Sequence, residues 1–425
     1  MQLGVIADDF TGATDIASFL VENGMATVQL NGVPTGQFIS SADAVVISLK
    51  SRSCPAAQAV ADSLAALEWL RGQGCQQFYF KYCSTFDSKA KGNIGPVTDA
   101  LLAALGESQT VISPALPVNG RTVYQGHLFV MEQLLSESGM RHHPVTPMLE
   151  SNLLRLMDAQ AKGRSGLVPF SVIEQGKEAV KQRLAELQAQ GVNYAVLDTL
   201  NEQHLLTQGA ALADMKLLTG GSGLAIGVAR QWAKRSNKDI TQQKQRAQAA
   251  GYPQGAGCVV LSGSCSVMTN RQVTRYRQQT AAIAIDVERC LSEPDAYAQS
   301  LSLWVEQQQH RRLAPMIYAT SEPEQLEVIQ RQWGAERSSS AVEQVFAALV
   351  RLLYAQGYRR FIVAGGETSG VVAQTLGVGA FYIGPVISPG VPWVKSTDGA
   401  FSLALKSGNF GDENFFSRAQ EEFPV

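Results

Sequence analysis

Short runs of β-branched and aromatic residues alternate with longer amphipathic stretches along nearly the whole chain. The apolar runs predict strands over 3–7, 26–30, 44–49, 78–82, 110–113 and 194–197. Between them, apolar residues recur at helical spacing over 56–71, 97–105 and 175–189. Strands alternating with helices predict parallel βαβ units whose sheet is covered by helices. The pattern breaks over 231–257, where a polar, basic run is followed by small residues, glycines and a proline. That composition reads as a solvated linker. A second α/β series follows, with strands predicted over 258–261, 282–286, 316–319, 361–364, 381–383 and 401–405.

A chain of 425 residues is too long for one ordinary hydrophobic core. The expectation is therefore an α/β protein of two domains, 1–240 and 256–425, each a largely parallel β-sheet flanked by helices. Hydrophobic residues make up 45% and charged residues 17%, a normal globular mixture. The formal charge of -2 offers no electrostatic attraction to nucleic acid or to an anionic membrane. No apolar run reaches the roughly 18 residues of a spanning helix, and the opening residues lack a signal-peptide pattern, so a cytoplasmic protein is expected. The six cysteines form neither a Cys-x-x-Cys pair nor a zinc-spaced set and read as reduced thiols. A homo-oligomer is left open.

The candidate chemistry begins at Leu3-Gly-Val-Ile-Ala-Asp-Asp-Phe-Thr-Gly-Ala-Thr-Asp15, an apolar strand that runs into two carboxylates and a helix-opening turn. Open α/β sheets bind ligands at the carboxyl ends of their strands. Neighbouring carboxylates are costly unless a cation, a shared proton or a substrate proton separates them. Helix capping by Asp9 or Thr11 explains one acid and leaves the other, so Asp8 and Asp9 stand as candidate catalytic groups. Basic and polar residues recur just past other strand ends: Arg52 after 44–49, Lys81, Asp87 and Lys89 with Asn93 after 78–82, and Arg121 after 110–113. Singly each reads as a surface side chain; together they suit an anionic substrate, and Arg52 or Arg121 offers the paired donors a carboxylate takes. The small-residue turn Thr219-Gly-Gly-Ser-Gly223 admits two readings, an anion site or close helix packing.

Three glycine-containing turns follow strands of the second series: Ser262-Gly-Ser-Cys-Ser266, Ala364-Gly-Gly-Glu-Thr-Ser369 and Lys406-Ser-Gly408. Neither standard nucleotide fingerprint is present. Such turns still present backbone N–H groups at helix N-termini, which suits phosphate. Three of them at the ends of parallel strands would meet at one edge of the sheet, favouring a nucleotide site.

As an ordered set these segments resemble the four-carbon acid sugar kinase family. The resemblance runs through Ala7-Asp-Asp-Phe-Thr-Gly-Ala13, Phe86-Asp-Ser88, Gly92-Asn-Ile-Gly95, Pro114-Ala115, Gly120-Arg-Thr122, Thr219-Gly-Gly-Ser-Gly223, Ser262-Gly-Ser-Cys-Ser266 and Gly365-Gly-Glu-Thr-Ser369. It implies an N-terminal substrate domain, a C-terminal nucleotide domain and ATP contacts at Ser264, Gly365, Gly366, Glu367, Thr368 and Gly408. Phosphoryl transfer from ATP to the 4-hydroxyl of 3-oxo-tetronate is the implied reaction, with D-threonate or D-erythronate as the alternative acceptor. Mg2+ would bridge the phosphate oxygens, and Asp9 or Asp8 would orient the hydroxyl, with Asp9 preferred. Relatives often carry an arginine before Gly-Asn-Ile-Gly; here the stretch reads Asp87-Ser-Lys-Ala-Lys-Gly92, which supplies charge without the planar fork. Two further classes, a two-domain dehydrogenase and a non-catalytic sugar-acid binding protein, fit the same architecture.

Overall fold

The computed structural model describes residues 2–35, 42–86, 89–142 and 147–424. It divides into two compact units, Met1–Ala247 and Gln248–Val425. The first contains strands β1 (Leu3–Ala7), β2 (Thr27–Asn31), β3 (Ala44–Ser48), β4 (Gln77–Lys81), β5 (Thr110–Ser113), β6 (Arg121–Tyr124), β7 (His127–Val130), β8 (Gln133–Leu134), β9 (Ser165–Val168), β10 (Tyr194–Leu197) and β11 (Leu217–Gly220). Eight of them form a sheet in the order β2-β3-β1-β4-β11-β5-β10-β9, paired in parallel throughout. Every residue of β1 and β3 is buried, as an apolar run covered by helices on both faces requires. The register aligns the strand ends: Ala7 pairs with Ser48 and Lys81, Lys81 with Gly220, and Gly220 with Ser113. The loops that follow these strands therefore leave one edge of the sheet together.

Strands β6, β7 and β8 form a separate antiparallel sheet in a stretch where the apolar pattern predicts no strand. Its first turn is Gln125-Gly126, both at positive φ (50° and 72°), the backbone that suits a two-residue hairpin. Asp198, fully buried, fixes that turn by accepting the N–H of Gln125 and of Gly126, each at 2.9 Å.

The second unit contains β12 (Cys258–Ser262), β13 (Ala282–Ala284), β14 (Met316–Tyr318), β15 (Arg360–Ala364), β16 (Ala380–Ser388), β17 (Val391–Ser396) and β18 (Ser402–Lys406). Their order is β13-β14-β12-β15-β18-β17-β16, parallel up to β18 and antiparallel beyond it. Val260, Ile362, Ala404, Trp393, Phe415 and Phe416 pack into its core. The α/β class, with largely parallel strands flanked by helices, is as expected.

The segment expected as a solvated linker is largely helical. Residues 231–235 complete the helix Gly223–Arg235, and a further helix spans Ile240–Ala250. The latter buries no residue, but it is rich in Gln, Lys, Arg and Ala, good helix formers. Asp239 accepts the N–H of Gln242 at 3.0 Å and so caps its start. Lys238 just before it pairs with Asp43 at 2.9 Å, and Lys244 within it pairs with Glu22 at 2.5 Å. A polar run carries no apolar periodicity, which is why its helix was invisible to the pattern. No disulfide joins the six cysteines. Among the described residues no helix is long and apolar enough to cross a membrane.

Candidate active site

In the first unit, Asp8 and Asp9 leave the end of β1 and Arg52 lies in the loop after β3. The β1–β3 pairing brings these loops together. Arg52 Nε donates to Asp8 Oδ2 at 2.9 Å and Nη2 to Asp8 Oδ1 at 2.7 Å. Its remaining Nη1 lies 2.9 Å from Asp9 Oδ2. The cation that two adjacent acids require is thus this arginine, and its whole donor fork is engaged. Arg52, read as a carboxylate clamp for substrate, instead grips the protein's own acids.

The two aspartates differ. Asp8 has a side chain 8% exposed and both oxygens on Arg52. Burial raises its pKa, with Arg52 opposing. Asp9 is 26% exposed. It caps the helix Phe10–Glu22, accepting from the Gly12 N–H at 2.7 Å and the Thr11 hydroxyl at 3.1 Å. Burial pushes Asp9 upward, but Arg52, Lys81 and these two hydrogen bonds outweigh it and hold the carboxyl below its ordinary value. Asp9 therefore caps the helix, as the sequence allows, while also lying in the acid–arginine cluster.

Lys81 ends β4 with only 2% of its side chain exposed. Its Nζ donates to the Tyr82 carbonyl at 2.9 Å and lies 3.8 Å from Asp15 Oδ2. Gly12 makes room for it, since a Cβ there would stand 3.1 Å from Lys81 Nζ. Asp15 also accepts from the Ser222 hydroxyl. Burial pushes the Asp15 carboxyl up to about 6, against the opposing charges of Lys81 and Arg121 and the Ser222 hydrogen bond. A cavity of about 10 Å³ behind the Arg52–Asp8 pair, lined also by Phe80 and Asn93, holds no more than a water. The parts of the cluster open to solvent are Asp9 and Arg52, at 26% and 25% exposure.

Asn93 serves the loop: its Nδ2 donates to the carbonyls of Ser51 at 2.7 Å and Cys54 at 2.8 Å, fixing the segment that carries Arg52. Arg121 donates to the Asn119 carbonyl at the start of β6. Lys89 is exposed. Asp87 lies outside the described residues. The Thr219–Gly223 turn resolves toward packing: a Cβ at Gly221 would come within 2.6 Å of the Pro114 carbonyl oxygen, and Gly220 and Gly223 meet the backbone of 113–115 as closely. Asp15 and Ser222 were missed. Asp15 was visible only as the end of the Asp8–Asp15 segment, and nothing in the sequence pairs it with a serine 207 positions away.

In the second unit the three glycine turns do meet. Ser262 pairs with Ala364, and Ala364 with Lys406, so β12, β15 and β18 end side by side. Gly365 sits at φ +122°, and a Cβ there would lie 3.1 Å from the Ser264 amide nitrogen. A Cβ at Gly408 would lie 2.6 Å from Ser264 Oγ. Ser264, Gly365, Thr368 and Gly408 therefore form one small-residue surface. Two helices start there: Val267–Tyr276, capped by Ser266, and Gly366–Thr375, whose N-terminus has no side-chain cap. Gly366 and Glu367 in its first turn are exposed. Open N–H groups at a helix N-terminus beside a surface of glycines and small hydroxyl side chains suit a phosphate. Among the described residues no cluster of three His, Cys, Asp or Glu could hold a metal ion.

Comparison with known proteins finds two family models, one on either side of the division at 247/248. A sugar-binding N-terminal domain model matches residues 3–228, and a nucleotide-binding C-terminal domain model matches 259–416. The chain is 70% identical over 426 residues to a 3-oxo-tetronate kinase of Pectobacterium atrosepticum, covering 100% of this chain and 99% of that protein. It is 62% identical to a 3-oxo-tetronate kinase of Salmonella typhimurium, covering 100% of both. Among solved structures, a Salmonella typhimurium protein provisionally described as a tRNA synthase matches with a TM-score of 0.90 at 62% identity, covering 100% of both chains. A Haemophilus influenzae protein matches with a TM-score of 0.80 at 53% identity, covering 99% of this chain and 100% of that one.

Proposed function

This chain belongs to the four-carbon acid sugar kinase family, and from that premise we propose that it transfers the γ-phosphoryl group of ATP to the 4-hydroxyl of 3-oxo-tetronate. The observation that carries the reading is full-length identity to kinases of that name, in a chain whose strand-end turns form a phosphate-suited surface. The products are ADP and 3-oxo-tetronate 4-phosphate. Neither a nicotinamide-dependent nor a purely binding role is consistent with that kinship, and a net charge of -2 gives no footing to a tRNA-directed one.

In this reading residues 256–425 hold ATP and residues 1–240 the acid. The phosphates lie against Ser264, Gly365 and Gly408, with the N–H groups of Gly366, Glu367 and Thr368 donating to their oxygens. Mg2+ takes most of its ligands from phosphate and water and needs few protein carboxylates. Exposed Glu367 is the carboxylate this surface offers it, and the ion's contribution is to neutralise phosphate charge.

Asp9 takes the acceptor hydroxyl. It is the acid with an open face, and as a carboxylate it can accept the hydroxyl's hydrogen bond, orient the oxygen and receive its proton as the bond to phosphorus forms. Asp8 is spent on Arg52. Arg52 and Asn93 are accordingly assigned to positioning the acids, Lys81 to the charge balance beneath Asp9, and Lys89 and Arg121 to the anionic end of the substrate. The reaction is placed in the cytoplasm, where ATP is supplied.

Coupled ADP release with Mg2+ and a panel of 3-oxo-tetronate, D-threonate, L-threonate and D-erythronate tests the proposal. Turnover confined to 3-oxo-tetronate supports it. Preference for a reduced acid moves the substrate while keeping the chemistry, and silence across the panel with ATP still bound overturns it.

A further inference from the structure

Lys406 closes β18 and is fully buried. Its ammonium donates to Thr269 Oγ1 at 3.0 Å, the Ser407 carbonyl at 3.0 Å and the Gly408 carbonyl at 2.8 Å. Thr269 lies in the first turn of the helix Val267–Tyr276 and itself donates to the Gly408 carbonyl at 2.7 Å. All three donors are satisfied, but every acceptor is neutral. Among the described residues Lys406 forms no ion pair, whereas the buried cation of the first unit, Lys81, has Asp15. Burying a charge without a counter-charge is costly, and an apolar side chain of similar length would fill the same space.

The charged residues on the elements around it do not supply the missing charge. Arg271 and Arg275 on the helix Val267–Tyr276, Glu367 on the next helix, and Asp412 and Glu413 past the loop are exposed, and Lys395 on β17 is half-buried. Burial alone acts on the Lys406 ammonium, pushing its pKa down to about 7. The turn this ammonium secures is the one whose Gly408 abuts Ser264.

We propose that Lys406 is a positioning residue for the nucleotide, holding the Ser407-Gly408 turn against Thr269, with the phosphates supplying the counter-charge that its buried side chain lacks without them. This rests on the nucleotide-binding reading of the domain. A phosphate oxyanion over the turn favours the charged lysine, so binding draws a proton from solvent onto Nζ. A purely structural lysine would draw none.

Calorimetric titration of the full-length protein with Mg2+ and ADP at pH 8, in two buffers of different ionisation enthalpy, reads that proton directly. The expected result is an uptake of about half a proton or more per nucleotide. In Lys406→Met the uptake disappears and affinity falls about tenfold or more. Nucleotide binding by the wild-type protein without proton uptake overturns this inference alone, whether or not the variant folds. Uptake that persists in Lys406→Met also overturns it. No nucleotide binding at all overturns the domain reading and this inference with it.

Discussion

Arg52 grips both oxygens of Asp8, at 2.9 and 2.7 Å, from a loop 44 positions further along the chain. The guanidinium plane makes this a two-bond contact, and its third nitrogen is left for Asp9 at 2.9 Å. One arginine therefore separates two adjacent carboxylates into unequal partners. Asp8 is consumed in holding the arginine, and Asp9 keeps an open face beside the helix start.

The inequality predicts different phenotypes for two conservative changes. Asp9→Asn should lower kcat by about 100-fold or more with ATP affinity little changed, because a neutral amide cannot take the hydroxyl proton. Asp8→Asn should instead destabilise the fold, by about 2–3 kcal/mol, since the buried Asp8 position loses its charge-assisted pair with Arg52. Steady-state kinetics and urea unfolding separate the two. Near-normal turnover in Asp9→Asn would remove it from the catalytic role.

Arg52→Lys should not behave as a conservative change. A lysine ammonium cannot span Asp8 in two parallel bonds while reaching Asp9. We expect turnover to fall about tenfold or more and the thermal midpoint to drop by several degrees. Retention of both, measured by the coupled assay and by calorimetry, would show that charge alone suffices.

Gly408→Ala probes the second unit. The added Cβ would stand 2.6 Å from Ser264 Oγ and 2.9 Å from Ser266 Cβ, so the turn has to move. An increase of about tenfold in KM for ATP is expected, about 1.4 kcal/mol of lost binding. KM for the sugar acid should change little, and varying each substrate in turn checks both.

Asp15 gives a signed pH dependence. Its folded pKa of about 6 lies above the ordinary 3.8, so the folded protein binds a proton more tightly than the unfolded chain. The associated stability is fully present below pH 4 and is lost as pH rises through 6, by about 3 kcal/mol in all. The difference in unfolding free energy between wild type and Asp15→Asn, followed from pH 4 to 7, should fall by that order. A flat difference would place Asp15 at its ordinary pKa.

Much of this protein is legible in its sequence, because the local signals are strong and short-ranged. Apolar runs marked most strands within a residue or two, since parallel strands buried on both faces admit little but hydrophobic residues. Two acids after such a run, and glycines after three others, marked both candidate sites because strand ends are where ligands bind. The polar helix Ile240–Ala250 was lost for the opposite reason, having no apolar face to betray it. What only the tertiary structure decided is which distant residues share a charge. The register of β1 with β3 sets Arg52 on Asp8 and Asp9, and Ser222 reaches Asp15 from 207 positions away. Lys406 read as one polar residue in a glycine loop until the fold closed over it. Pairing and burial depend on which strands lie side by side, and hydrophobic periodicity announces a strand without naming its neighbours.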